Sequence, residues 1–363
     1  MFRWRGHAAR VDGFGEVPIP STVTQTSPLR RTAFLCAVLG SLCFPSTHGG
    51  APTTLEIGPK ERLLVIAAHP DDETLGAGGL VQRVLARGGS ARVVILTAGD
   101  GFVRAVEGAS PGKPARPAQY VAYGERRIDE AESAVRELGR GRVRVDVLGF
   151  PDTGLFPLLS AHWKKSAPAR SPTTGAMDSP YDEAYGPDVP YAGSSLRAEL
   201  VRILRAAKPT LVAVHDPLDA HPDHRAAGLF ALLALDEWTR EAAGSGGATP
   251  KVLAYLVHWP GWPSDWSKAP SAETRHALLA FPQTLPTRGL ERVQLVLEPT
   301  EVAKKQAALR GYETQREVMD SFLMNFARSS EPFTVLTRQE LRGAGWVRDL
   351  RQASSSPQVA RSK

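Results

Sequence analysis

Leu63-Leu64-Val65-Ile66-Ala67-Ala68-His69-Pro70-Asp71-Asp72-Glu73 joins a short apolar run to a cluster of imidazole and carboxylate groups. Unbroken apolar character over so few residues reads as a strand buried on both faces. Pro70 stiffens the exit from it, and Gly76, Gly78 and Gly79 precede or open a helix predicted over 77–87. The arrangement returns further along the chain, where Leu211-Val212-Ala213-Val214 leads to His221-Pro222-Asp223-His224. In both places imidazole and carboxylate stand where a strand gives way to a helix.

Working outward, strands are predicted at 62–68, 91–97, 143–148, 210–214 and 252–257. Helices are predicted at 119–139, 196–207 and 223–236, with a closing helix at 300–327. This alternation predicts an α/β fold, a Rossmann-like and mostly parallel sheet with helices on both faces. Ligands in such sheets bind beyond the carboxyl ends of the strands, so the two motifs are expected to converge there on a metal site. Residues 156–194 and 258–290 interrupt the rhythm as irregular insertions, the second carrying Trp259, Trp262 and Trp266. Long loops of this kind are often functional, and specificity is expected to reside in them.

The formal charge of +6 suggests nucleic acid until it is divided by region. Residues 1–31 hold five Lys/Arg and two Asp/Glu, and residues 351–363 hold three Lys/Arg and no acid. The remaining body has 36 basic and 36 acidic residues, so no basic footprint for nucleic acid is present. Cys36 and Cys43 both lie in the apolar run 33–44, which follows Arg30-Arg31. That run is too short for an ordinary span and has the length of a signal-peptide core. Residues 1–50 are therefore read as an export leader, with a cleavage site among the small residues 46–51. The protein is expected to be periplasmic or secreted, touching a membrane only through an uncleaved leader. Once the leader is removed, no cysteine remains to act as nucleophile or thiolate ligand. A Ser-rich basic tail at 351–363 is expected to be disordered.

Asp71 and Asp72 are adjacent and point in different directions, so one can bind a cation while the other faces water. His221 and His224, three residues apart across a helix start, face one space. Either motif alone is weak, since adjacent Asp residues commonly cap helices. Together they supply what a mononuclear metal hydrolase needs: neutral N/O ligands, a spare carboxylate and a spare imidazole. Arg127 and Glu130 read either as a helix-surface pair or as substrate contacts, and Asp152 as a candidate lining residue. His215 reads as a satisfied histidine at a strand end, and the tryptophans as packing within a Pro-rich loop.

The pairing of His69-Pro70-Asp71-Asp72-Glu73 with His221-Pro222-Asp223-His224 resembles the LmbE-like/PIG-L family of metal-dependent N-deacetylases. The resemblance extends to Leu96-Thr97-Ala98-Gly99-Asp100-Gly101, to Arg127 with Glu130 and to Gly149-Phe150-Pro151-Asp152. It continues through Lys305, Ala308-Leu309, Tyr312, Gln315 and Glu331-Pro332-Phe333, a domain over 58–335. It implies removal of the acetyl group from N-acetylglucosamine units of a glycan or glycolipid. By the same resemblance His69, Asp72 and His224 are metal ligands and Asp71 is the general base. His221 polarises or protonates, and Asp223 orients an imidazole. Zinc is the expected metal, although such donors also take iron, manganese or cobalt. Some members carry a tyrosine just before the second motif; here Asp216-Pro217-Leu218-Asp219-Ala220 stands in that place. A related amidase or esterase and a non-catalytic glycan-binding module are the alternatives, the latter needing neither acid nor base.

Overall fold

The computed structural model describes residues 52–108, 114–186, 188–243, 249–263, 268–286 and 289–337. The predicted leader, the tail and Trp266 lie outside them. In chain order the elements are β1 (Thr53–Thr54), β2 (Arg62–Ala67), α1 (Asp72–Ala86), β3 (Ser90–Thr97), α2 (Val103–Gly108) and α3 (Pro117–Gly139). They continue with β4 (Arg144–Phe150), α4 (Leu155–Leu158), α5 (Gly193–Ala207), β5 (Leu211–His215), α6 (Pro222–Ala243) and β6 (Lys251–Tyr255). Last come α7 (Ala272–His276), β7 (Arg292–Val296), α8 (Pro299–Arg310), α9 (Glu313–Met324) and β8 (Ser330–Leu336). No described helix is long and apolar enough to cross a membrane.

The sheet runs β1-β7-β8-β6-β5-β2-β3-β4. Strands β4, β3, β2, β5 and β6 are parallel, as the alternating pattern predicts. Strand β8 runs antiparallel to both neighbours, β6 and β7. Alternate residues of β2 feed different layers: Leu63, Val65 and Ala67 enter the core on one face, Leu64 and Ile66 the core on the other. That two-sided burial is why the strand reads as a continuous apolar run.

Three features depart from the sequence expectation. Strands β1, β7 and β8 were not anticipated: β7 is short with a charged start, and β8 contains Pro332, a residue that argues against a strand interior. Helix α1 begins at Asp72 rather than 77, with its glycines inside it. A methyl group on Gly76 would lie 2.1 Å from the Tyr255 ring, and one on Gly79 would lie 2.4 Å from Leu297. Gly76 and Gly79 thus allow close packing, at a cost of about 1 kcal/mol each in helix propensity. The closing helix is two helices, α8 and α9, broken at Gly311-Tyr312. Tyr312 is fully buried, and its hydroxyl meets Glu73 and Thr74 at the start of α1.

A buried ion pair ties these parts together. Lys305 Nζ donates to Glu331 Oε1 at 2.6 Å and to the Leu75 carbonyl at 2.8 Å. The same carboxylate accepts the Gly79 and Leu80 amides of α1 at 2.7 and 2.9 Å. Helix α1 is therefore held to β8 and α8 by charge-assisted hydrogen bonds as well as by packing.

Candidate metal and catalytic site

Strand β2 is flanked by β3 on one side and β5 on the other, so the chain order reverses there. A crevice opens beyond the carboxyl ends of strands at such a reversal. His69 enters it directly after β2, and the turn after β5 brings in His221 and His224. Asp71 takes φ 118° at the N-cap of α1, a conformation side chains other than glycine rarely adopt. The turn is held by its neighbours: the Asp71 carbonyl accepts the Thr74 and Leu75 amides, and its own amide donates to Glu73 Oε2 at 3.1 Å.

Three donor atoms converge. His69 Nδ1 lies 3.1 Å from His224 Nε2, and Asp72 Oδ2 lies 3.3 Å from each of them. A tetrahedral ion with ligands at about 2.0–2.1 Å sets its donors about 3.3 Å apart. The two imidazoles are braced from behind, His69 Nε2 standing 3.1 Å from Asp152 Oδ1 and His224 Nδ1 3.3 Å from Asp219 Oδ1. Metal-binding histidines are usually braced in this way. Other donor sets can be drawn through the cluster, using His221, His215 or the pair Asp152 and Asp223. In the second of these His215 Nε2 already accepts the Ala68 amide at 3.0 Å, and in the third His69 Nε2 faces Asp152.

The electrostatics call for a cation in the same place. Burial alone would raise Asp72, but His224 and His215 hold it well below the usual carboxylate range. Burial would lower His224, yet Asp72 and Asp219 bring it up to about 9. His69, likewise opposed by burial, is carried well above its usual value by Asp152. Two imidazolium N–H groups cannot both point into a 3.1 Å gap. The surrounding carboxylates demand positive charge there, and a metal ion satisfies both nitrogens at once.

Burial pushes Asp71 up to about 8, with Arg127 pulling against it and Asp72 and Glu73 adding to the rise. Arg127 is buried and forms no pair with Glu130. It donates to Asp71 Oδ2 at 3.1 Å, to the Pro70 carbonyl at 2.6 Å and to the Gly99 carbonyl at 2.8 Å. Glu130 instead accepts the amide and hydroxyl of Thr314. His221 Nδ1 accepts the Asp223 amide at 3.3 Å, which leaves the proton on Nε2. Burial, then the charge on His224, lowers His221 to about 2, so its ring is neutral. Asp223 faces His69 rather than His221: its Oδ2 lies 3.6 Å from His69 Nε2, while Oδ1 accepts the Leu155 amide.

A cleft of about 260 Å³ opens onto these groups, lined by His69, Asp71, Asp72, Arg127, Asp152, His221 and His224. All the site residues proposed from sequence, except Asp223 and Glu130, line it. Asp219 and His258 carried no expected role. Asp219 is fully buried; its Oδ2 accepts the Val257 and His258 amides at 2.9 and 3.0 Å, and its Oδ1 accepts the His221 amide at 2.9 Å. A carboxylate two residues before the H-P-D-H motif was the available signal. His258 lines the cleft and stacks on Phe322 with centroids 5.0 Å apart. The two described tryptophans of the second insertion pack as expected. Trp262 Nε1 donates to the Ala280 carbonyl and Trp259 Nε1 to Thr284, and neither lines the cleft. No described residue of 156–194 lines it either, and from 258–290 only His258 does. Of the two insertions, His258 is thus the one described residue that reaches the cleft.

Residues 64–235 match the family model described as PIG-L, GlcNAc-PI de-N-acetylase. A 1D-myo-inositol 2-acetamido-2-deoxy-alpha-D-glucopyranoside deacetylase from Saccharopolyspora erythraea is 31% identical over 305 residues, covering 79% of this chain and 98% of that protein. The protein so named from Rhodococcus jostii is 35% identical over 172 residues, which span 46% of this chain and half of its own length. Among solved structures, N,N'-diacetylchitobiose deacetylase from Pyrococcus horikoshii aligns at TM-score 0.44 and 18% identity, covering 76% of this chain and 84% of that one.

Proposed function

Because this chain belongs to the PIG-L family of de-N-acetylases, we propose that it is a metal-dependent hydrolase removing the acetyl group from an N-acetylglucosamine-type amino sugar. The observation that carries the reading is the triangle of His69 Nδ1, Asp72 Oδ2 and His224 Nε2, at 3.1–3.3 Å, with Asp71 beside it. These three residues would hold the ion, and zinc suits two imidazoles and one carboxylate. Bound there, it would supply Lewis acidity and acidify a water.

The remaining steps belong to the side chains. Asp71 takes the proton of the attacking water. Its raised pKa makes it a stronger base than an ordinary carboxylate, and also an acid able to pass that proton to the departing nitrogen. Arg127 fixes the carboxylate and keeps it from turning away. His221, neutral and carrying its proton on Nε2, donates a hydrogen bond to the oxygen that gains charge during attack. This gives it the polarising role of the two expected for it. Asp152 and Asp219 orient the ligand imidazoles, and Asp223 stands beside His69.

Export belongs to the same proposal and rests on residues 30–51 alone. The test of function is acetate release from N-acetylglucosamine glycosides by leaderless protein, stripped of metal and reconstituted with zinc. Asp71→Asn should keep one zinc per chain and lose turnover, whereas His224→Ala should lose both. Full turnover by Asp71→Asn would remove the proposed base.

A further inference from the structure

Apolar side chains also line the cleft. Leu75, Phe102, Val257, Met319 and Phe322 line it, contributed by α1, the loop before α2, the chain after β6, and α9. Beside Phe102, Val103 opens α2 and is 42% exposed, one of five exposed large apolar side chains among the described residues. Half-exposed Phe102 thus gives the cleft an apolar lip, with Val103 next to it in sequence.

The charged groups narrow the choice of ligand. Among the described lining residues Arg127 is the only permanent cation. Its guanidinium is already committed to Asp71 and to the carbonyls of Pro70 and Gly99. Among the described lining side chains there is thus no second fixed cation to pair with a phosphate or carboxylate on the substrate. Of the uncharged polar side chains, Gln315 already donates to the Tyr123 hydroxyl at 2.7 Å. At about 260 Å³ the cleft is smaller than the roughly 300–1,000 Å³ typical of sites for drug-sized ligands. It suits one sugar ring, with any substituent passing over the lip.

Resting on the deacetylase reading, we infer that the substrate is an uncharged glycoside of N-acetylglucosamine whose aglycone is apolar, an alkyl or aryl group seated between Phe102 and the Met319–Phe322 side of α9. The anomeric substituent leaves the sugar at the lip, while the acetamide faces Asp71 and the donor triangle.

The test compares zinc-reconstituted protein on methyl and octyl N-acetylglucosaminides, the octyl compound below its micelle concentration. N-acetylglucosamine 1-phosphate and N-octanoylglucosamine complete the set. Burying two or three methylenes of the octyl chain corresponds to at least tenfold. The octyl glycoside should therefore exceed the methyl glycoside by that factor in kcat/KM, mainly through KM, with the phosphate the poorest substrate. Phe102→Ser and Val103→Ser should each cut the octyl-to-methyl ratio at least threefold; Val103 is exposed, so its variant is expected to fold. Equal rates for the two glycosides would overturn the inference, as would preference for the phosphate. So would a gain from the long N-acyl chain without one from the octyl aglycone. Calorimetric binding to zinc-loaded Asp71→Asn separates the two readings. Tighter octyl binding with no turnover of any compound would keep the apolar subsite and sink the deacetylase assignment. Neither turnover nor a binding preference would sink both.

Discussion

Asp219 Oδ1 stands 3.3 Å from Nδ1 of His224, behind the face that the histidine presents to the donor triangle. Because the same carboxylate also accepts the amides of His221, Val257 and His258, it fixes the ring and the turn carrying the second motif together. Asp219→Asn is expected to weaken zinc binding by about 10–100-fold, the usual effect of losing such a brace. Chelator competition measures this directly. Unchanged affinity would mean that His224 is oriented by packing alone.

Arg127 makes three bonds with one planar guanidinium, a geometry that lysine cannot reproduce. Arg127→Lys should retain zinc, as judged by metal analysis, and lose about 10²-fold in kcat, since small misplacement of a catalytic group is costly. A variant that lost metal instead would place Arg127 in the support of the ligands rather than of the base.

The Lys305–Glu331 pair is buried on both sides. Removing one partner strands a charge, so Lys305→Met should destabilise the fold by about 3–5 kcal/mol. The double variant Lys305→Met/Glu331→Gln should recover part of that loss. Urea unfolding of the three proteins decides the matter, and additive losses would show that the two side chains act independently.

Export predicts a processed amino terminus. Full-length chain produced in a secreting bacterial host should appear outside the cytoplasm and begin within residues 46–51. Intact-mass measurement of the purified protein checks this; an unprocessed cytoplasmic chain would remove the leader from the reading.

The central parallel strands were legible because burial on both faces imposes a continuous apolar run, and β2 and β5 carry no other signal. The motifs after them were legible because their donors lie within a few residues of each strand end. Asp219 was harder to read, since nothing about a lone carboxylate announces what stands 3.3 Å from it. Strand β8 was hidden for a related reason. Its Glu331 and Pro332 look unsuited to a sheet interior until Lys305 and the amides of α1 are seen to occupy the carboxylate. The neutral state of His221 also depends on neighbours distant in sequence.

Every donor, the base and the polarising histidine lie between residues 69 and 224, but the parts that hold α1 in place come from far later in the chain. Tyr312 reaches Glu73, Lys305 reaches Leu75, and Glu331 takes the amides of Gly79 and Leu80. A fragment ending after β6 would contain the whole chemical inventory without the clamp that shapes it. Assembly of the reactive centre thus depends on contacts between segments more than two hundred residues apart, whose loop-closure entropy must be overcome before they form.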